Sequence, residues 1–383
     1  MRKITELDGV RGIAILLVLL YHLAPQGLIA SLHLSPTLSG VASVLVYPVA
    51  ALGWTGVDLF FVLSGFLITT ILLQTKNTPR YFRNFYARRF LRIFPVYYAT
   101  LILLFVVVPV LRSSTHTIPP RDRVFYWFYL QNWLETFQTY TGFRSGYLIH
   151  FWSLAVEEQF YLVWPLTVYL LTPRQLVRLS TSLIVTSLLV RIAVNVFVPY
   201  AWADFNLVQF NTVARFDTLA LGALIACATV HFGHALDGSW WQRRAAFALA
   251  ALFLALAAIV LLSPSSPQVS NPVFRTVGYS VLAGVWALFL LRALRADPAA
   301  FTRRVLRLRG LAYTGAISYG LYVFHYPIYG AVWAMMRLPA VRGHPLLATL
   351  ASPVLALSLT FAAASLSFRF FETPILTLKR HFE

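Results

Sequence analysis

Long apolar stretches, separated by short polar connections, follow one another along the whole chain. Ten of these stretches are long enough to cross a bilayer as helices of about 20 residues. They lie near residues 10–30, 54–74, 93–111, 151–171, 176–198, 209–230, 245–262, 272–291, 311–336 and 346–368. Because a helix satisfies its own backbone hydrogen bonds, the pattern predicts an all-α fold: a polytopic membrane bundle of about ten transmembrane helices.

The composition agrees with a membrane protein. Hydrophobic residues make up 59% of the 383 positions and charged residues only 11%, whereas about a quarter of a soluble domain is charged. Residues 1–24 imitate a signal peptide, but no small-residue cleavage site follows, and we keep them as the first span. The single cysteine, Cys227, excludes an internal disulfide, and the sequence predicts no metal site.

The positions of the basic residues predict the orientation in the membrane. An even number of spans places both termini on one side. If that side is the cytoplasm, most of the 31 lysines and arginines fall in cytoplasmic segments, as the positive-inside rule requires. We therefore predict that both termini are cytoplasmic. The net charge of +18 then reflects orientation and attraction to anionic lipid, which excludes nucleic acid as a partner.

One connection, residues 112–150, is long and is predicted to be extracytoplasmic. It contains an aromatic run at residues 125–129, which suits an interfacial or re-entrant segment better than an eleventh span. Its length makes it a candidate lid or acceptor contact. We interpret residues 1–383 as a single membrane domain that includes this loop and has no soluble C-terminal domain.

Arg11 and His22 are the most informative pair of residues. They stand eleven residues apart in the first apolar segment, so on an α-helix they share one face and lie about 16 Å apart along its axis. Ionisable groups within a membrane span are costly to bury and usually serve a function. The alternative is that His22 only forms a hydrogen bond between helices.

Other ionisable side chains are predicted to lie in the outer half of the bundle, where they would enclose a polar cavity. They are Asp58, Glu157, Glu158, Arg191, Arg215, Asp217, Arg275 and His325. The structural alternative is that the charged members form buried ion pairs, Arg215 with Asp217 and Arg191 with a glutamate.

His22 and the two glutamates are predicted to lie at similar depth, so one carboxylate could hold His22 as a general base. Adjacent residues on a helix point about 100° apart, so only Glu157 or Glu158 can face His22, and we favour Glu158. His325 could bind the acceptor or carry a second proton, or it could simply close a hydrogen bond between helices.

A basic cluster is predicted at the inner edge of the bundle. Arg89 and Arg92 share a helical face beside Arg88, just before Pro95 at a predicted helix start. Together with Arg11 they form a candidate polyphosphate site. Taken singly, each arginine is better explained as an ordinary cytoplasmic anchor.

Several motifs together resemble the acyltransferase-3 family of integral membrane acyltransferases, over residues 6–374. They are ELDGVRGIAILLVLLYH (6–22), GVDLFFVLSGFLIT (56–69), RRFLRIFP (88–95), FWSLAVEEQFYLVWP (151–165), RFDTLALGAL (215–224), ISYGLYVFHYPI (317–328) and FETP (371–374). The resemblance implies that His22, in the Arg-x₁₀-His signature begun by Arg11, is catalytic. It also implies that Arg89 and Arg92, in the Arg-x-x-Arg motif, are associated with the acyl-CoA donor.

The residues and the resemblance suggest one mechanism. The donor substrate would be acyl-CoA, most commonly acetyl-CoA in this family, and no tightly bound cofactor is expected. Its phosphates would bind to Arg11, Arg88, Arg89 and Arg92. His22, supported by Glu158, would activate a hydroxyl of an extracytoplasmic acceptor or carry the acyl group itself. Four other residues would bind the acceptor or support the site: Asp58, Glu157, Asp217 and His325.

The acceptor is expected to be an envelope or exported polysaccharide at the bacterial cytoplasmic (inner) membrane. A small molecule such as a macrolide is an alternative acceptor. A non-enzymatic transporter or flippase of a lipid-linked sugar is the alternative from another class, although we find no inverted repeat of the kind that transporters use.

Overall fold

The computed structural model describes residues 4–23, 52–111, 118–143, 145–198, 201–231, 271–295, 300–336 and 345–382, with parts of 244–258. Every regular element of these residues is helical, which confirms the predicted all-α fold. The helices are α1 Thr5–Leu23, α2 Gly56–Thr75, α3 Tyr81–Ile102, α4 Pro120–Trp127, α5 Gln131–Thr136, α6 Gln138–Thr141, α7 Trp152–Leu170, α8 Pro173–Phe197, α9 Ala201–Gln209, α10 Thr212–His231, α11 Tyr279–Arg295, α12 Phe301–Leu306, α13 Arg309–Ala316, α14 Ser318–Met336, α15 Pro345–Ser367 and α16 Thr373–Thr377.

Six helical segments of the described chain are long and apolar enough to cross a membrane. They are Gly53–Thr75, Tyr81–Val110, Pro173–Phe197, Phe205–His231, Phe274–Arg295 and Ala351–Phe382. They overlap six of the ten predicted spans. Three more predicted spans overlap helices: the first span overlaps α1, the span near 151–171 contains α7, and the span near 311–336 contains α14. The span predicted at 245–262 lies largely outside the described residues, and the count of ten and the cytoplasmic termini stay predictions.

The predicted start of the third span is wrong. Helix α3 begins at Tyr81, so the arginine cluster and Pro95 lie inside the helix. The first turns of α3 pack on α7, where Tyr81 donates a hydrogen bond to Pro165 O and Tyr86 donates to Leu162 O. A run of apolar residues identifies only the part of a helix that crosses the hydrocarbon core. The polar turns before that part are also helical here, because these contacts stabilise them.

Helices α2 and α10 approach each other closely because glycines line their contact. A Cβ atom built on Gly65 would lie 2.0 Å from Leu219 O, and one built on Gly222 would lie 2.1 Å from Val62 O. Neither position can hold a larger side chain without moving a backbone. Small residues give membrane helices this kind of close packing, and it brings Asp58 of α2 next to α10.

Two buried ion pairs hold α2, α8 and α10 together. Arg191 of α8 donates to Asp217 over 2.7 Å, and Arg215 donates to Asp58. Buried pairing was the alternative left open by the sequence, but the predicted partners are wrong. Arg215 and Asp217 are two residues apart on one helix, about 200° around its axis, so they cannot face each other.

Asp217→Asn is expected to lower the free energy of unfolding by about 3–5 kcal/mol, because it leaves the Arg191 charge buried without a counter-charge. Asp122→Asn is the matched control, since its partner Arg121 is 84% exposed, and an exposed pair is worth less than about 1 kcal/mol. Thermal unfolding of the purified protein in detergent measures both. Equal melting temperatures for the two variants would contradict the assignment.

Candidate functional site

Three histidines meet near the end of α1 that the predicted topology places on the outer side. His22 Nδ1 lies 3.4 Å from Nε2 of His325 in α14. The His325 ring lies 4.8 Å from the ring of His150, which is in the short 3₁₀ turn Gly146–Phe151 before α7. No group of three or more His, Cys, Asp or Glu side chains among the described residues is placed to hold a metal ion.

The hydrogen bonds of the cluster assign the proton on His22. Val18 O lies 3.0 Å from His22 Nδ1, and a carbonyl oxygen can only accept, so Nδ1 carries the hydrogen. Similarly, His325 Nδ1 donates to Tyr322 O over 2.7 Å, which leaves its Nε2 free to accept from His22. The remaining nitrogen of neutral His22, Nε2, is consequently an unprotonated base.

The prediction that Glu158 faces His22 does not match the contacts of His22 in this structure, where His325 takes that place. Helix α1 begins at Thr5, five residues before the predicted start at 10. This earlier start carries His22 about 8 Å further outward. Glu157 and Glu158 lie in the second turn of α7, about 8 Å inward from its first residue, and both line a separate cavity.

That cavity lies toward the predicted cytoplasmic side and measures about 130 Å³. Its charged lining residues are Arg11, Arg89, Arg92, Glu157 and Glu158. The structure thus brings Arg11 together with the Arg-x-x-Arg motif, although they come from different helices. Arg88, which was predicted with them, is not among the residues that line the cavity. Three cations and two carboxylates give the cavity a polar, positively charged wall within an otherwise apolar bundle.

Two of the charged side chains that line the cavity are held in place by contacts with their neighbours. Arg11 donates to Asp8 over 2.8 Å. The Arg89 guanidinium lies 4.5 Å above the Tyr161 ring, in the range of a cation–π interaction. The Tyr161 hydroxyl is in turn hydrogen-bonded to Ser64. These contacts fix the positions of Arg11 and Arg89 at the cavity.

Tyr322 connects the cavity to the histidine cluster. Its side chain lines the cavity with Ser153, and its hydroxyl donates to His150 O over 2.7 Å. Its backbone oxygen accepts from His325, as described above. Tyr322 therefore lines the cavity and also orients His325, which lies one helical turn further along α14.

The predicted outer loop meets α14 beside the histidine cluster, where the His150 ring lies 5.6 Å from the ring of Tyr326. Tyr326 stands edge-on to His22 with 5.2 Å between ring centroids, and Glu135 of α5 interacts with Tyr326 electrostatically. Burial raises the pKa of Glu135 to about 7, partly offset by a hydrogen bond with Ser145. The described part of this loop contains the short helices α4, α5 and α6.

Sequence reasoning missed His150 and Tyr322. His150 stands just before the FWSL stretch, and its Nε2 lies 3.3 Å from Val323 O while its Nδ1 is buried without a partner. A histidine beside a polar helix start is a weak signal by itself. The sequence signal for Tyr322 is stronger, because Tyr322 lies three residues before His325 and so shares a helical face with it.

His150→Asn is expected to lower the free energy of unfolding by about 1–3 kcal/mol, because Val323 O loses its buried donor. His150→Gln places an amide near the Nε2 position and should retain more stability and more turnover. Thermal unfolding and a turnover assay measure the pair. Equal losses in both variants would show that the ring packing, and not this hydrogen bond, is what His150 contributes.

A family model described as an acyltransferase domain matches residues 4–369. Curated relatives include the peptidoglycan O-acetyltransferase OatA of Listeria monocytogenes, 28% identical over 98% of this chain and 56% of its own length. The O-acetyltransferase OatA of Staphylococcus aureus is 27% identical over 98% of this chain and 57% of its own length. The chain thus spans about half the length of these relatives. No solved structure matches.

The fold and the site define a membrane-embedded helical bundle. A cationic cavity lies on the predicted cytoplasmic side of the basic imidazole of His22. The match over nearly the whole chain shows that it belongs to the acyltransferase domain family, as its motifs predict. With its apolar spans, it is a multi-pass bacterial membrane protein.

Proposed function

We propose that the chain is a membrane-bound O-acyltransferase that moves an acetyl group from cytoplasmic acetyl-CoA to a hydroxyl of an extracytoplasmic polysaccharide. One observation carries this proposal: Tyr322 connects an arginine-lined cavity to the unprotonated imidazole nitrogen of His22. Acyl transfer from a phosphate-bearing thioester needs both parts: cations that bind the donor and a base that activates the acceptor.

The donor binds at the inner end of the cavity. Arg89 and Arg92 hold its phosphates, since guanidinium groups suit phosphate oxygens, and Arg11 lies further along the path on α1. The pantetheine arm extends through the cavity toward Tyr322 and Ser153. The thioester carbon then lies at the boundary with the histidine cluster.

His22 activates the acceptor hydroxyl. Its Nε2 takes the hydroxyl proton while the oxygen attacks the thioester carbon, the carbon–sulfur bond breaks, and the proton passes to the CoA thiolate. Contacts from Nδ1 to Val18 O and His325 keep the ring oriented and share the charge of the imidazolium. In a variant of this route, His22 Nε2 is itself acylated and passes the group to the acceptor.

Peptidoglycan is the acceptor that the name of the Listeria relative favours. Its hydroxyls lie outside the bacterial cytoplasmic membrane, on the side where His22 and the outer loop are predicted to stand. A small molecule such as a macrolide would use the same chemistry. Acceptor choice would then depend on the residues around Tyr326 and Glu135.

Release of free CoA from acetyl-CoA by the purified protein, with and without peptidoglycan fragments, tests the proposal. We expect peptidoglycan to stimulate release and to become O-acetylated in proportion. A protein that binds and moves a lipid-linked sugar but yields no acetylated product with any acceptor would support the transporter alternative instead.

A further inference from the structure

The last residues of the described chain pack on α3, the helix that carries two of the arginines of the inner cavity. After α15 the helix widens into a π-helical turn, Phe368–Glu372, and the segment ends in a 3₁₀ turn, Leu378–Phe382. This last turn packs on α3. The Arg83 guanidinium lies 5.5 Å from the Phe382 ring centroid, which fixes the segment against the helix that carries the arginine cluster.

The docked segment adds a lysine to that cluster. Lys379 is half-buried and interacts electrostatically with all four predicted donor-site arginines: Arg92, Arg89, Arg88 and Arg11. Cations that are brought together in a partly buried site repel one another. A bound polyanion would turn this repulsion into attraction.

Lys379 stands outside the residues that line the cavity, whereas Arg89 and Arg92 line it. A donor that extends its arm into the cavity must therefore place its nearer phosphates on the arginines and its more distant phosphate beyond them. Acyl-CoA carries a diphosphate next to the pantetheine arm and a monoester 3′-phosphate on the ribose. Guanidinium pairs suit the diphosphate, and an ammonium, as a point charge, suits an isolated phosphate.

We propose that Lys379, positioned by the docked C-terminal segment, binds the ribose 3′-phosphate of the donor nucleotide. This inference rests on the proposed use of acyl-CoA as the donor. It makes the segment at residues 373–382 part of the donor site and predicts that the protein distinguishes acetyl-CoA from donors that lack the 3′-phosphate.

The test measures the affinities of acetyl-CoA, acetyl-dephospho-CoA and acetyl-pantetheine for the wild type and three variants. In the wild type, removal of the 3′-phosphate should weaken binding about tenfold, the size of one hydrogen bond to a charged group. Lys379→Gln should weaken acetyl-CoA binding by a similar factor and leave the affinity for acetyl-dephospho-CoA unchanged. Lys379→Arg should retain most of the preference, and Arg380→Gln, which removes a neighbouring exposed charge, should keep all of it.

A Lys379→Gln protein that still prefers acetyl-CoA tenfold over acetyl-dephospho-CoA would overturn the inference while leaving the proposed function intact. Wild-type protein that binds none of the three thioesters would overturn the proposed function itself. Melting temperatures of the variants, compared with wild type, separate a binding effect from unfolding.

Discussion

His22→Ala is expected to lower the rate of acyl transfer by roughly 10²- to 10⁴-fold, the contribution typical of a positioned general base. The variant removes the unprotonated Nε2 and leaves the inner arginine cavity untouched. Binding of acetyl-CoA should therefore stay at the wild-type level. Measured kcat for acetylated product and a separate binding assay for the donor check the two halves of this expectation.

His231→Ala is the matched control, since His231 is an exposed histidine at the end of α10. It should leave both kcat and donor binding unchanged. Wild-type turnover in His22→Ala would contradict the assigned role of Nε2, and so would a loss of donor binding equal to the loss of turnover.

Arg89→Ala combined with Arg92→Ala is expected to weaken donor binding by at least about a hundredfold, because two charge-assisted contacts to phosphate are lost. Acceptor binding should not change, since the acceptor approaches from the other side of Tyr322. The effect should nearly vanish when acetyl-pantetheine, which lacks the phosphates, replaces acetyl-CoA. Equilibrium binding of both donors measures it.

The matched control for this double variant is Arg174→Ala with Arg178→Ala. Both control arginines are exposed near the start of α8 and are also predicted to face the cytoplasm. Removing them lowers the net charge by the same amount without touching the cavity. An equal loss of donor affinity in the control would show that the effect comes from overall charge and would remove the arginines from the donor site.

Periodicity along single helices predicted much of this arrangement. The spacing of Arg11 and His22 placed one at the inner cavity and the other in the outer cluster, because both positions depend only on the rise and turn of α1. The Arg-x-x-Arg spacing likewise placed Arg89 and Arg92 on one face of α3, and both line the cavity.

Relationships between helices were harder to predict. The depth of His22 relative to Glu158 depends on where α1 begins, and α1 begins at Thr5 because its first turns are buried against other helices despite Glu6 and Asp8. Hydrophobicity cannot detect a polar helical turn that packs in this way. The observed start carries His22 outward, past the level of the glutamates, to a position beside His325.

Partner choice among buried charges was also beyond the sequence. The same residues that could serve an acceptor site, Asp58 and Asp217, are paired with Arg215 and Arg191 instead. Which arginine meets which aspartate depends on the close approach of α2 and α10 at Gly65. The role of Tyr322 is similar, since it depends on contacts between α14 and the turn before α7.

In the proposed mechanism, an acetyl group passes through the bundle from the arginine cavity to a hydroxyl on the other side. This transfer can be measured in oriented proteoliposomes. They carry radiolabelled acetyl-CoA inside, on the side of the arginine cavity, and peptidoglycan fragments outside. We predict labelled, alkali-labile O-acetyl groups on the external glycan, with an equal amount of free CoA retained inside, and neither product with His22→Ala. Label that reaches external glycan only when acetyl-CoA is also supplied outside would contradict transfer through the bundle.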